Sequence, residues 1–205
     1  KYHVRNLLFR DPIFGMDKNH VRELLNLKIQ RGLNSRWAAE MHLNTLNEEI
    51  IKLMKASGCA AITVGIEAYD ANVLKTSKRF NANEEKLKKN LRLLEKHNIK
   101  VMAGFILGGM EDTYETVQNT FAYAKQLNTS FAQFTISTPY PGTQYYADLK
   151  DKLVAETPEE FNGYSLVFKH DVFTQQQLNK LKSRYFRQYY LRPRWMLKHL
   201  KEILL

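Results

Sequence analysis

Cysteine is nearly absent from this sequence: Cys59 is the only one in 205 residues. One thiol builds neither a disulfide framework nor a cysteine-rich metal site, which fits a reducing, cytoplasmic setting. HExxH, Walker A and GxSxG are all missing, and no Cys or His pair has metal-ligand spacing. The chain therefore offers no metal site of its own and no nucleophile with an evident base. No apolar run approaches the roughly 20 residues that span a bilayer, and no signal-peptide pattern is present at Lys1. The start at Lys1 falls in mid-pattern without an initiator methionine, which reads as a piece of something longer. There is no low-complexity segment and no clear internal linker. Acid is in deficit: 21 Asp and Glu face 31 Lys and Arg, a net charge of +10. That surplus suits an anionic partner such as nucleic acid or a phosphorylated substrate, but a solvated basic surface is the simpler reading.

What is present is a repeating pattern. Hydrophobic residues at 44% and charged residues at 25% are ordinary for a globular chain, and the length suffices for one sizeable core. Val4 to Phe9 is a short apolar run, stopped at Arg10-Asp11-Pro12 because proline leaves the ladder and holds Asp11 extended. Asp17 to Arg31 has helical spacing, with Val21, Leu24 and Leu25 on one face and Gly32 as the stop. Arg36 to Leu43 is a second strand. Thr45 and Glu48 have capping-box spacing and open a helix with the stripe Ile50, Leu53 and Met54. Cys59 to Ile66 is a third strand, apolar enough for burial on both faces, and Glu67 follows it. A short helix is expected from Asp70 to Lys75.

The second half continues the pattern. Glu84 to His97 is helical through Leu87, Leu91 and Leu94. Lys100 to Leu107 is a fourth strand. Asp112 to Leu127 is its helix, with Tyr114, Val117, Phe121 and Ala124 inward. Phe131 to Ser137 is a fifth strand, closed by the turn from Thr138 to Thr143. Residues 144 to 172 are irregular with one short helix. Thr174 caps a helix running to about Leu191, Pro193 interrupts it, and a last helix runs from Arg194 to Leu205. Strands recurring at roughly 30-residue spacing between amphipathic helices predict an α/β fold with a parallel sheet. An open doubly wound sheet and a barrel both fit.

Ligands of parallel α/β folds sit at the C-terminal strand ends. Polar residues gather there: Asp11 after the first strand, Glu40 and His42 at the second, and Glu67 after the third. Gly108 to Glu111 follow the fourth strand and Thr138 to Thr143 the fifth. Each has a structural explanation beside the functional one. Asp112 and Glu115 are explained by helix capping and the helix dipole. Gly108 and Gly109 either permit the turn or admit a ligand to the backbone. Tyr140, Pro141 and Gly142 form a stiff turn by composition. Glu67, after a wholly apolar strand, is the hardest to explain structurally, because a carboxylate there needs a partner.

Trp37 to Met54, Gly58-Cys59, Gly65-Ile66-Glu67 with Asp70 and Leu74, Gly104 to Glu111 in a GxIxGxxE pattern, and the turn from Thr138 to Thr143 occur in one order at matching spacing. In this the chain resembles the radical S-adenosylmethionine (SAM) enzymes. It is most similar to the branch with an N-terminal cobalamin-binding domain, typified by anaerobic magnesium-protoporphyrin cyclase-like Fe–S oxidoreductases. The resemblance implies a partial (βα)6 TIM-like barrel whose second to sixth strands are those seen here. Residues 1–143 would form the barrel and 144–205 a helical extension packed on it. The first strand and the CxxxCxxC loop that binds a [4Fe–4S] cluster would precede Lys1, as would any cobalamin domain.

The family's chemistry is reductive cleavage of SAM to a 5′-deoxyadenosyl radical that takes hydrogen from a small organic substrate. An electron donor such as flavodoxin or ferredoxin supplies the electron. By the same resemblance, Gly104, Ile106 and Gly108 flank the adenine, Glu111 supports their turn, Glu67 meets polar groups of the cofactor, and Tyr140 and Pro141 border adenine or substrate. Asp11 stands near the family's Gly-Gly-Glu, which this sequence lacks. Glu40 lies beside His42, which stands where many relatives have arginine.

Without the cluster cysteines this piece is expected to be inactive alone, and its bare first strand to invite a second chain. Two rival readings remain. One is a nucleic-acid module built on the basic, aromatic tail from Lys180 to Lys201. The other is a cluster-free barrel used as a scaffold. In the tail, helical spacing favours aromatics packed inward and cations left in solvent.

Overall fold

The computed structural model describes residues 4–70 and 84–203. Beyond Asp70, the short helix expected up to Lys75 lies outside the described residues, as does Leu74. The five expected strands are all present: β1 (Asn6–Phe9), β2 (Arg36–Met41), β3 (Cys59–Glu67), β4 (Lys100–Leu107) and β5 (Phe131–Ile136). They form one parallel sheet in the order β1-β2-β3-β4-β5. A doubly wound sheet reverses its order at a switch point; here each new strand is added on the same side, which is the winding of a barrel.

The described helices are α1 (Lys18–Gln30), α2 (Glu48–Ala56), α3 (Glu84–Lys96), α4 (Tyr114–Leu127), α5 (Gln144–Asp148), α6 (Gln175–Tyr190) and α7 (Pro193–Ile203).

Strands β2 to β5 each bury one face only, while β1 has no buried residue. Trp37, Ala39 and Met41 of β2 are buried, and so are Ile62, Val64 and Ile66 of β3. So are Val101, Ala103, Phe105 and Leu107 of β4, and Ala132, Phe134 and Ile136 of β5. The alternate residues, including Glu40, Thr63, Gly65, Gly104, Ile106 and Thr135, are half-buried or exposed. The expectation that β3 is buried on both faces is therefore corrected. Its second face consists of Ala61, Thr63 and Gly65, small residues that suit a core by hydropathy but are left uncovered.

Contacts divide the chain into two compact units. The first comprises Lys1–Gly65, Ala82–Ala103 and Thr129–Phe131. Its centre is Trp37, 1% exposed, which stands edge-on to Phe9 and donates from Nε1 to Ser57 O at 3.2 Å. Lys28 is buried and caps the turn after α1 by donating to the carbonyls of Leu33 and Ser35. Asn47, not Thr45, caps α2, accepting from Ile50 N at 2.8 Å. Thr45 is taken up in a 3-10 turn over Leu43–Thr45 that ends before the helix begins. Ile51 takes the buried place expected of Leu53. Asn90, buried on α3, donates to Leu43 O and Leu46 O at 2.9 and 3.2 Å, tying the helix to the 3-10 turn and the residue that follows it.

The second unit comprises Ile66–Asn81, Gly104–Asn128 and Ala132–Leu205. Phe121 of α4 stacks on Tyr185 of α6 at 4.1 Å, and Tyr189 is fully buried. The Tyr190 hydroxyl both accepts from Ala132 N and donates to Ala132 O, each at 3.0 Å. Arg192 lies over the Tyr189 ring and donates to Lys125 O and Asn128 Oδ1, where α4 ends at a left-handed Asn128. The tail aromatics thus mostly pack inward as expected, but Phe186 is 54% exposed. Tyr114 also departs from expectation: it is half exposed, because α4 starts one residue after its Thr113 cap and Tyr114 turns to meet Phe173.

Candidate cofactor site at the strand ends

Within the first unit, Asp11 is exposed in the turn after β1, and Glu40 is exposed near the end of β2, in register with Thr63. His42 is half-buried, and its Nδ1 accepts from Asn44 N at 3.2 Å, so the ring caps the 3-10 turn. No hydrogen bond or ion pair among the described residues joins these three. His42 has a structural employment that accounts for its position.

The second unit holds the denser arrangement. Glu67 ends β3 with φ at 72°, a left-handed conformation that a non-glycine residue rarely adopts. Gly104 and Ile106 lie on the half-exposed face of β4, and Thr135 of β5 donates to Phe105 O at 3.4 Å beside them. Gly108 and Gly109 then turn the chain. Both are buried. Gly108 has φ 74°, and a Cβ there would lie 2.6 Å from Leu178 Cδ1. The glycine is required by its dihedral and by Leu178 of α6, so the turn alone accounts for it.

The residue that fixes this turn is Asp112. Its Oδ2 accepts from Gly109 N at 2.9 Å and its Oδ1 from Thr116 Oγ1 at 2.6 Å, while Asp112 N donates back to Gly109 O at 2.8 Å. The Tyr145 hydroxyl accepts from Met110 N at 3.3 Å. Glu111, expected to support the turn, is exposed, and the adjacent Asp112 does so instead. Asp112 is in turn not the helix cap: Thr113 takes that role in a reciprocal box with Thr116.

His170 completes the clamp. Its Nδ1 accepts from Val172 N and Phe173 N, so Nε2 carries the proton and donates to Gly109 O at 2.8 Å. Nothing local in the sequence marks His170, since its partner lies 61 residues away. Tyr140 and Pro141 are exposed on a type II turn, with Thr143 N donating to Tyr140 O and Gly142 at φ 87°.

Burial pushes the Asp112 carboxyl above its ordinary range, partly offset by the hydrogen bonds from Thr116 and Gly109. The folded state therefore holds the Asp112 proton more tightly than the unfolded state does. Its contribution to stability is full below the ordinary value of 3.8 and is lost as pH rises through the folded value. Asp112→Asn should remove this slope from urea-unfolding stability measured across the acid range. Asp112→Ala should lower stability by about 1–3 kcal/mol in acid, because Gly109 N–H is left buried without an acceptor, and the loss should shrink as pH rises through the folded value. Asn can accept from Gly109 and donate to Thr116, so its cost should be smaller.

Among the described residues no group of three or more His, Cys, Asp or Glu could hold a metal. Cys59 is buried, and burial pushes its thiol up to about 12, which keeps it protonated and inert. No described helix is long and apolar enough to cross a membrane.

A parallel sheet to which each new strand is added on the same side, with helices in the connections, defines an α/β fold of the barrel-winding kind. The chain belongs to the radical SAM superfamily, whose sequence pattern matches residues 12–124, more than half of it. It is 31% identical over 205 residues to an uncharacterized methyltransferase of Pyrococcus horikoshii, covering 98% of this chain and 44% of that protein. It is 27% identical over 161 residues to the bacteriochlorophyllide d C-12(1)-methyltransferase of Chlorobaculum tepidum, covering 78% of this chain and 35% of that protein. The radical SAM methyltransferase TsrM of Kitasatospora setae, solved with cobalamin and a [4Fe–4S] cluster bound, has the same fold, with a TM-score of 0.67 at 17% identity over 90% of this chain and 38% of that one. The chain thus spans less than half the length of each of these relatives.

Family membership implies SAM and a [4Fe–4S] cluster. The described residues do not fit the cluster, since the single thiol is buried and protonated. Their chemistry would suit the nucleoside end of SAM: β4 has Gly104 and Ile106 on its half-buried face, and β3 ends in the carboxylate of Glu67.

Proposed function

We propose that this chain is the SAM-binding wall of a longer radical SAM enzyme, with the cluster ligands lying outside these 205 residues. The observation that carries the proposal is Glu67, held at φ 72° where β3 ends. Such a conformation costs on the order of 1–2 kcal/mol in a residue with a Cβ, and retained strain of this kind collects at functional sites. Its carboxylate suits the hydroxyl or ammonium groups of the cofactor, while Gly104 and Ile106 give the adenine a flat apolar surface. Gly108 acts through the turn, clamped by Asp112 and His170, that fixes the end of β4. Tyr140 and Pro141 border the nucleoside or the substrate. Roles for Asp11, Glu40, His42 and Glu111 rest on the family resemblance alone, as does the division at 143 into barrel and extension.

SAM supplies a C5′–S bond that breaks on one-electron reduction. No residue described here delivers that electron. The methyltransferase relatives and the cobalamin held by TsrM support methyl transfer to a small organic substrate by the longer protein. A flavodoxin- or ferredoxin-type donor in the cytoplasm would supply the electron.

Anaerobic reconstitution tests this. The longer protein should release 5′-deoxyadenosine or S-adenosylhomocysteine. The 205-residue chain should bind SAM by calorimetry and show no [4Fe–4S] absorption. A cluster spectrum from the chain alone overturns the division of labour. Alone, β1 should also recruit a second copy, because it is an edge strand with Leu7 40% and Leu8 59% exposed. A strictly monomeric chain by light scattering would count against that pairing.

A further inference from the structure

Positions 172 to 201 contain eight lysines and arginines and no aspartate or glutamate. Some of these cations serve the fold. Arg192 and Lys198 donate to the end of α4, and Lys182 lies over the Tyr164 ring. Others stay in solvent: Lys180, Arg184 and Arg187 recur at i, i+4 and i+7 along one face of α6, and Arg194 is exposed on α7. Arg184 and Arg187 share a shallow groove with Asn179 and Ser183.

The same two helices leave large apolar side chains uncovered. Leu197 is 73% exposed, Leu191 68%, Phe186 54%, Leu200 46% and Met196 42%. On α7 the opposite side is the one that packs, with Trp195 stacked on His199 at 4.5 Å and His199 buried. Met196, Leu197 and Leu200 therefore form an outward apolar sector, with Arg194 exposed beside it.

We propose that α6 and α7 form a docking surface for an anionic lipid bilayer, on which the protein rests peripherally. A helix with an apolar sector flanked by cations lies in the headgroup region, burying the apolar side chains while the cations meet anionic lipid. The charge is one-sided over thirty successive positions, which an acidic surface complements and a neutral one does not. A polyanion such as RNA would use Lys180, Arg184 and Arg187 but has little use for Leu191 and Leu197, so the lipid surface accounts for more of what is exposed.

Vesicle co-sedimentation tests this on the 205-residue chain and on the longer protein. The probes are vesicles of phosphatidylcholine alone, and of phosphatidylcholine and phosphatidylglycerol in equal parts. Both proteins should sediment with the mixed vesicles only, and less so as salt rises. Leu197→Glu, and separately Arg184→Glu with Arg187→Glu, should each weaken partitioning by about tenfold or more. These positions are exposed, so far-UV circular dichroism should be unchanged.

Four results would overturn the proposal: no binding to the mixed vesicles, equal binding to both kinds, variants that bind like the parent, or tighter binding to RNA than to vesicles. Binding by the chain but not by the longer protein would also overturn it, since the surface would then be covered within the whole molecule.

Discussion

Replacing Gly108 with alanine should destabilise the fold by about 3 kcal/mol. Two independent terms contribute. The backbone sits at φ 74°, where a Cβ costs roughly 1–2 kcal/mol. The added methyl would also stand 2.6 Å from Leu178 Cδ1, and overpacking of a tight core costs about 1–3 kcal/mol. Neither neighbour yields easily. Leu178 is completely buried on α6, and the turn itself is tied by Asp112 to Gly109 N and by His170 to Gly109 O. For a chain of this length the melting temperature should fall by about 6–12 °C.

A double-mutant cycle separates the two terms. Leu178→Ala alone should cost about 2–5 kcal/mol through the cavity it leaves. In the double variant the steric term disappears, so the total should fall short of the sum by about 1–3 kcal/mol. Additive losses would mean that the Gly108 effect is wholly conformational. A Gly108→Ala variant within about 0.5 kcal/mol of the parent would remove Leu178 from the position described.

The alternation of strands and helices was legible because it depends on local periodicity. Lys100–Leu107 reads as a strand because it is a short apolar run between an amphipathic helix and a glycine turn, whereas its alternation of half-buried and buried side chains appears only in the fold. The five-strand α/β pattern follows from repeats of that kind. Winding direction does not, since open and barrel arrangements share the same strand–helix repeat and differ only in which strands become neighbours.

The site was partly legible. Glu67 was conspicuous as an acid closing an apolar strand, although its left-handed backbone left no trace in the sequence. Asp112 was hidden in plain view, because a carboxylate before a helix looks like a cap. The competing Thr113 beside it was the available clue, since one helix has one N-cap residue. His170 and Asn90 could not be found locally. One sits in an irregular stretch, the other in a run of lysines, and their partners are backbone carbonyls far along the chain.

Glu67 should show stability and function pulling in opposite directions. Comparing Glu67→Ala with Glu67→Gly isolates the backbone, because both lose the carboxylate and every contact it makes. Alanine keeps the Cβ at φ 72°, whereas glycine adopts that region freely. The glycine variant should therefore be the more stable of the two by about 1 kcal/mol in denaturant titrations. Cofactor affinity should not follow that order. If Glu67 accepts hydrogen bonds from SAM, both variants should bind it at least tenfold more weakly, since a hydrogen bond involving a charged group contributes about 1.5–3 kcal/mol. Glu67→Gln should recover part of the affinity while keeping the strain. If both variants bind SAM like the parent, the site reading fails even where the stability ranking holds. If they lose affinity but rank equally in stability, the strained backbone is not what places the carboxylate.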